Sequence, residues 1–190
     1  MYAYKKIELT PEHRYFVDGV EYDGVTSILR AEGFMSSYIP ADLDWFLTRG
    51  TMIHKATELY DKGILDESTV DERIRGYVES WKLFAEGRPF YDSNAIEIRL
   101  CDPLYQFAGT LDRWDLDIKS GQPERWHIYQ IAAYAHLARV NGLSIAPYQT
   151  VYLQEDGSRP QVAKYGRREL MQAGETVLCA LNVHRAKRGG

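Results

Sequence analysis

Apolar and polar positions change period along this chain, and each change marks an element. Tyr15-Phe16-Val17 and Val20-Glu21-Tyr22 flank Asp18-Gly19, a pair suited to the positive φ of a tight hairpin, so residues 2–22 read as short strands. Val25, Ile28 and Leu29 then take helical spacing, and Gly33 stands where a C-cap is expected. Thr26 or Ser27 would cap that helix or touch a phosphate. Leu43 to Tyr60 is again helical, with an interruption at Arg49-Gly50-Thr51. Thr51 there reads as the N-cap of a run whose buried face is Ile53, Ala56, Leu59 and Tyr60. Residues 67–86 repeat the pattern through Val70, Ile74, Tyr77, Val78, Trp81 and Phe84, and stop near Gly87.

After a break at Pro89 to Asp92, period two takes over. Ala95 to Cys101 alternates, with Glu97 between Ile96 and Ile98. Leu104 to Trp114 and Leu116 to Lys119 read as a hairpin. Gly121 and Pro123 open a helix from about Glu124 to Val140, with Gln130 and Tyr134 on one face. Tyr148 to Gln154 and Val162 to Tyr165 are late strands around a turn at Asp156-Gly157, and a closing helix runs from Arg167 to Arg185. With 190 residues and no repeat or linker, one domain is expected over 1–190: a hairpin and helix (1–40), a core (43–140), then late strands and a helix (148–190).

The chemistry gathers at Asp112 and Asp117-Ile118-Lys119. Strand parity puts Asp117 and Lys119 on one face and Leu116 and Ile118 on the other. If Trp114-Asp115 is a two-residue turn, Asp112 lies directly across the hairpin from Asp117, with Cβ atoms ~5 Å apart and like charges opposed. A divalent cation between the carboxylates removes that repulsion, and oxygen ligands suit Mg²⁺ or Mn²⁺. Lys119 then stands beside the metal, an arrangement suited to attack of water on a phosphate. His54 and Glu58, four apart, share a helix face; a lone histidine there is more often structural than a ligand.

Composition limits the rest. The formal charge of −4 weighs weakly against a dedicated nucleic-acid binder, since acidic site residues supply part of it and the stretch from Lys164 onward is locally basic. Cys101 and Cys179 alone cannot make a four-thiolate cluster or zinc site, so no iron–sulfur cluster is expected. No stretch approaches a membrane span, and the N-terminus has no apolar signal core, so a cytoplasmic protein (nucleoid-associated if it handles DNA) is expected.

In order along the chain stand GTMIH (Gly50 to His54), Glu97, GTLD (Gly109 to Asp112), DIK (Asp117 to Lys119) and QIAAY (Gln130 to Tyr134). Together they resemble the PD-(D/E)xK nucleases of the RecB-like branch, which includes phage-type exonucleases and the mitochondrial genome maintenance exonuclease. The opening FVDGVEYDGVTSIL is similar to the start of phage-type members, and the resemblance covers about residues 14–137. It implies an α+β fold with a mixed β-sheet flanked by helices and an α-β-β-β-α-β core, as in restriction endonucleases. It also implies metal ligation by His54, Asp112, Asp117 and the main-chain carbonyl of Ile118, with Lys119 as catalytic lysine. Glu97 matches an acidic position that supports metal-bound water. Gln130 and Tyr134 match a motif lying near the DNA strand, although core packing is the competing role for Tyr134. The connection from Asp112 to Asp117 is shorter than this branch usually has.

The expected activity is that of a Mg²⁺- or Mn²⁺-dependent DNA exonuclease in recombination, repair or DNA processing. Thr51, Ser120 and Trp126 are added as DNA-contacting candidates, Trp126 by stacking on unpaired bases. Two rivals remain: a catalytically inactive DNA-binding or assembly module of the same fold, and a Mg²⁺-dependent nucleotide phosphohydrolase.

Overall fold

A computed structural model describes residues 6–35, 42–88, 93–144 and 146–187. The expected strand residues before Lys6, the break at Pro89 to Asp92 and the basic Arg188 lie outside them. Strands β1 (Ile7–Leu9), β2 (Tyr15–Val17) and β3 (Val20–Gly24) pair antiparallel in turn. Asp18 and Gly19 take φ of +50° and +82°, the doubly left-handed turn that matches strand twist. Helix α1 (Val25–Ala31) ends as its glycine dictates. Gly33 sits at φ +77°, its N–H donates to the Arg30 carbonyl at 3.2 Å, and Phe34 N–H donates to the Leu29 carbonyl at 2.9 Å. The N-cap is Gly24 without any side-chain bond, so neither Thr26 nor Ser27 caps this helix.

Helix α2 (Leu43–Asp61) corrects one expectation: it runs unbroken through Arg49-Gly50-Thr51. Its cap is Asp42, whose carboxylate accepts Trp45 N–H at 2.9 Å. Thr51 is an interior residue whose Oγ1 donates to the Leu47 carbonyl at 3.2 Å. The ~1 kcal/mol penalty of an interior glycine is too small to end a helix that Asp42 caps and Ile53 and Ala56 anchor. The 67–86 stretch divides instead, into a 3₁₀ turn at Glu67–Thr69 and helix α3 (Glu72–Ala85), capped by Asp66 and Asp71.

Then follow β4 (Ile96–Asp102), β5 (Phe107–Arg113), β6 (Leu116–Lys119), α4 (His127–Val140), β7 (Gln149–Tyr152), β8 (Gln161–Lys164) and α5 (Arg167–Lys187). Leu104 belongs to the turn before β5, not to the strand, and is 75% exposed. From α2 with α3 onward the order is helix, three strands, helix, strand. Two mixed ladders result: β1-β2-β3-β5-β4, with β3 and β5 parallel, and β6-β7-β8, with β6 and β7 parallel. This is an α+β fold of mixed sheets flanked by helices. One core packs α1, α4 and α5 on the first sheet through Val25, Leu29, Leu111, Leu137 and Leu181. A second packs α2 and α3 on the other sheet through Ile53, Trp81, Leu116, Ile118 and Val151. Among the described residues no helix is long and apolar enough to cross a membrane.

The expected β5–β6 hairpin ladder does not form; the two strands belong to different sheets. The backbone of the connecting residues explains this. Trp114 N–H donates to the Ala95 carbonyl at 3.1 Å, and the Asp115 carbonyl accepts Tyr148 N–H at 3.1 Å. Both residues are pulled towards other elements, and neither has the left-handed preference of a primed turn. β5 and β6 therefore part into separate sheets, so Asp112 and Asp117 are not the cross-strand partners expected: Asp117 pairs with Thr150 of β7, and the Asp112 carboxylate meets the Ile118 amide.

Candidate metal centre

Asp112 joins β5 to β6 and to helix α2. Its Oδ2 accepts the Ile118 N–H at 2.6 Å, a side chain standing in for the missing ladder bond, while Oδ1 lies 3.2 Å from His54 Nδ1. Parity on β6 is as expected: Lys119 Nζ lies 2.7 Å from Asp117 Oδ2, while Leu116 and Ile118 pack into the α2–α3 core. In an extended strand a residue's N–H and C=O leave by the same edge, so the Ile118 carbonyl is on the Asp112 side of β6.

Glu97 enters from β4. The register pairs Ile96 with Arg113 and Ile98 with Leu111, so Glu97 falls opposite Asp112. Its φ is +52°, a left-handed conformation inside a strand that costs a non-glycine residue about 1–3 kcal/mol. Its Oε1 is buried with no hydrogen-bond partner. Ligand atoms of His54, Glu97 and Asp112 all lie within 4.8 Å of one another.

The cluster is electrostatically frustrated. Burial, then the Asp112 charge, pushes the Glu97 carboxyl up to about 7. Burial raises Asp117 to about 6, with the Asp112 charge adding to it and Lys119 opposing. Asp112 is held below its ordinary range: burial acts to raise it, but His54, Lys119 and the Ile118 amide together outweigh burial. His54 is raised, since its neighbouring carboxylates, Asp112 foremost, overcome the opposing effect of burial. Acids this close relax when a cation joins them. An imidazole nitrogen, hard carboxylate oxygens and an unpaired buried oxygen could hold a divalent cation.

The remaining sequence candidates divide. Trp126 is half-buried at the N-cap of α4, and its ring centroid lies 5.5 Å from Lys119 Nζ, beside the site. Ser120 follows Lys119 and is half-buried; Thr51 is exposed one turn before His54 on α2. Gln130 and Tyr134 are both buried, and Gln130 Nε2 donates to the Tyr134 hydroxyl at 3.0 Å. Tyr134 packs in the core, where a Cβ on Gly109 would meet its Cε1 at 2.8 Å. The competing role for Tyr134 is thus real packing: Gly109 lets α4 approach β5. The phenol remains near the acids, because after burial the Asp117 charge is the next cause raising its pKa. Glu58 pairs with Lys55 at 2.9 Å and Lys62 at 2.6 Å rather than joining His54.

Two buried arrangements had no sequence signal. Asp61, Arg113 and Trp81 form a network behind Asp112, and His127 hydrogen-bonds the Tyr152 hydroxyl at 2.8 Å. A long-range pairing cannot be read from spacing, although Asp61 does follow His54 by two helical turns. The cavity of about 740 Å³ between α4 and α5 contains none of the site residues and a single carboxylate, Glu175. Its charged residues are Arg139, Arg167 and that one acid, too few carboxylates to hold a divalent cation, so the cluster around Asp112 is the better candidate site.

No protein-family model matches the chain, and no curated protein matches it. The side chains themselves carry the functional reading.

Proposed function

We propose that this chain is a Mg²⁺- or Mn²⁺-dependent deoxyribonuclease that hydrolyses phosphodiester bonds, acting from DNA ends. The supporting observation is the meeting of Asp112 with His54 and Glu97, beside the Asp117–Lys119 pair of β6. The RecB-like resemblance puts all five residues in one metal-dependent site, although it names Asp117, and not Glu97, among the ligands.

A divalent cation held there supplies Lewis acidity that polarises a phosphate and acidifies water. His54 and Asp112 would hold it in company with Glu97, whose ligand atom meets theirs, while Asp117 and the Ile118 carbonyl, the further ligands that the resemblance implies, lie outside that cluster. Glu97 offers its unpaired oxygen to the attacking water and helps fix the line of attack. Lys119, held beside Asp117, keeps a positive charge where the phosphate becomes more negative. Trp126, adjoining Lys119, offers a ring face to an unpaired base.

A digestion panel tests the reading: end-labelled single-stranded, duplex and circular DNA with Mn²⁺, Mg²⁺ or chelator. Metal-dependent loss of the linear substrates is expected, with circles spared. Binding without metal-stimulated cleavage points to an inactive module, and faster turnover of nucleoside triphosphates than of polymers points to a nucleotide phosphohydrolase.

A further inference from the structure

Helix α2 touches β5 twice, at residues two turns apart on one face: His54 and Asp61. His54 reaches the Asp112 side chain. Asp61 reaches the next residue, where Arg113 Nε donates to Asp61 Oδ2 at 2.7 Å and Arg113 Nη2 lies 2.6 Å from the same oxygen. Arg113 Nη1 donates to the main-chain carbonyl of Asp112 at 2.6 Å. From α3, Trp81 Nε1–H donates to Asp61 Oδ1 at 2.9 Å. Arg113 and Trp81 are fully buried, and Asp61 is 4% exposed. One guanidinium therefore grips the backbone of Asp112 and, through Asp61, the helix that carries His54.

Holding a helix on a strand does not need buried charges. Apolar side chains of similar volume commonly serve fold stability equally well or better, because an ion pair must first be desolvated. A charged, directional pair adds fixed geometry. We propose that Asp61 and Arg113 are positioning residues of the metal centre: they set α2 against β5 so that His54 and Asp112 stay at ligand separation. The proposal rests on the metal-site reading above. Neither residue touches the metal or substrate; both act through His54 and Asp112.

The test compares Mn²⁺ binding by calorimetry, the ¹⁴N coupling of bound Mn²⁺ by pulsed EPR, and thermal unfolding. Wild type is expected to bind Mn²⁺ and show the nitrogen coupling of His54. The paired substitution Asp61→Leu with Arg113→Met removes both charges together, so no unpaired buried charge is left; its unfolding temperature should fall only as far as the lost partners of Trp81 Nε1–H and the Asp112 carbonyl require. Its Mn²⁺ affinity should nevertheless fall ~10-fold or more, as when groups that orient ligands are lost, and the nitrogen coupling should weaken. Trp81→Phe removes the bond to Asp61 together with part of a fully buried indole, so it should lower the unfolding temperature and weaken Mn²⁺ binding to a smaller extent than the paired variant; binding by its folded form decides the matter should the paired variant not fold. Wild-type affinity and coupling in these variants would overturn the positioning role while leaving the metal site standing. Absence of Mn²⁺ binding by wild type would overturn both.

Discussion

Asp112 and Ile118 are joined across the opening between β5 and β6 by a 2.6 Å bond from the amide of one to the carboxylate of the other. A side chain here does the work of a ladder bond and still has its second oxygen facing His54. The residue is thus structural and chemical at once, and substitutions should separate the two roles.

Asp112→Ala leaves the Ile118 amide unpaired in a buried place and should cost about 1–3 kcal/mol in urea unfolding. Asp112→Asn keeps an acceptor oxygen and should stay closer to wild type, within about 1 kcal/mol. Both should lose metal-dependent cleavage. Equal destabilisation by the two substitutions would contradict the bond's structural role.

Gly109→Ala adds a Cβ 2.8 Å from Tyr134 Cε1 and 3.1 Å from Val25 Cγ2. Both neighbours are buried, so the overpacking should destabilise by about 1–3 kcal/mol. Tyr134→Phe, which keeps the ring and removes the hydroxyl bonded to Gln130, should not relieve that clash. Chemical denaturation measures both; unchanged stability of Gly109→Ala would contradict the close approach of α4.

His127 is buried and neutral at ordinary pH. Its Nδ1 accepts the Glu124 N–H at 3.2 Å, so this nitrogen carries no proton, and burial, helped by Lys119, lowers its pKa to about 3. The unfolded chain titrates this residue near ~6.5 and so binds more protons than the folded chain between that pH and about 3. Stability should therefore fall as pH drops through this window, by up to ~1.4 kcal/mol per pH unit from this group. His127→Gln removes the titrating group and should flatten the dependence. An identical slope in denaturation from pH 7 to 4 would contradict the assignment.

What the chain reveals from sequence alone is what depends on near neighbours. Asp18-Gly19, the Gly33 cap and the shared face of Asp117 and Lys119 follow from turn chemistry and strand period, which operate over a few residues. Gly50 shows the limit: local propensity suggested a break, and packing of Ile53 and Ala56 overrode it. The β5–β6 separation was hidden because it depends on Ala95 and Tyr148, distant partners of Trp114 and Asp115. The left-handed backbone of Glu97 and the Asp61–Arg113 pair were hidden for the same reason. The residues that cluster were nevertheless named by motif order, although Asp117 was taken as a ligand and Glu97 only as a support for bound water, because which acid reaches His54 depends on the β4–β5 register.

Lys119 tests the central claim most directly. Its ammonium is partly exposed and neighbours Asp117 and Trp126, so Lys119→Ala should still fold and bind Mn²⁺. Single-turnover digestion of end-labelled linear DNA with Mn²⁺ should show rapid cleavage by wild type and at least ~10²-fold slower cleavage by the variant. Equal rates in the two proteins, or no metal-stimulated cleavage by wild type, would contradict the account.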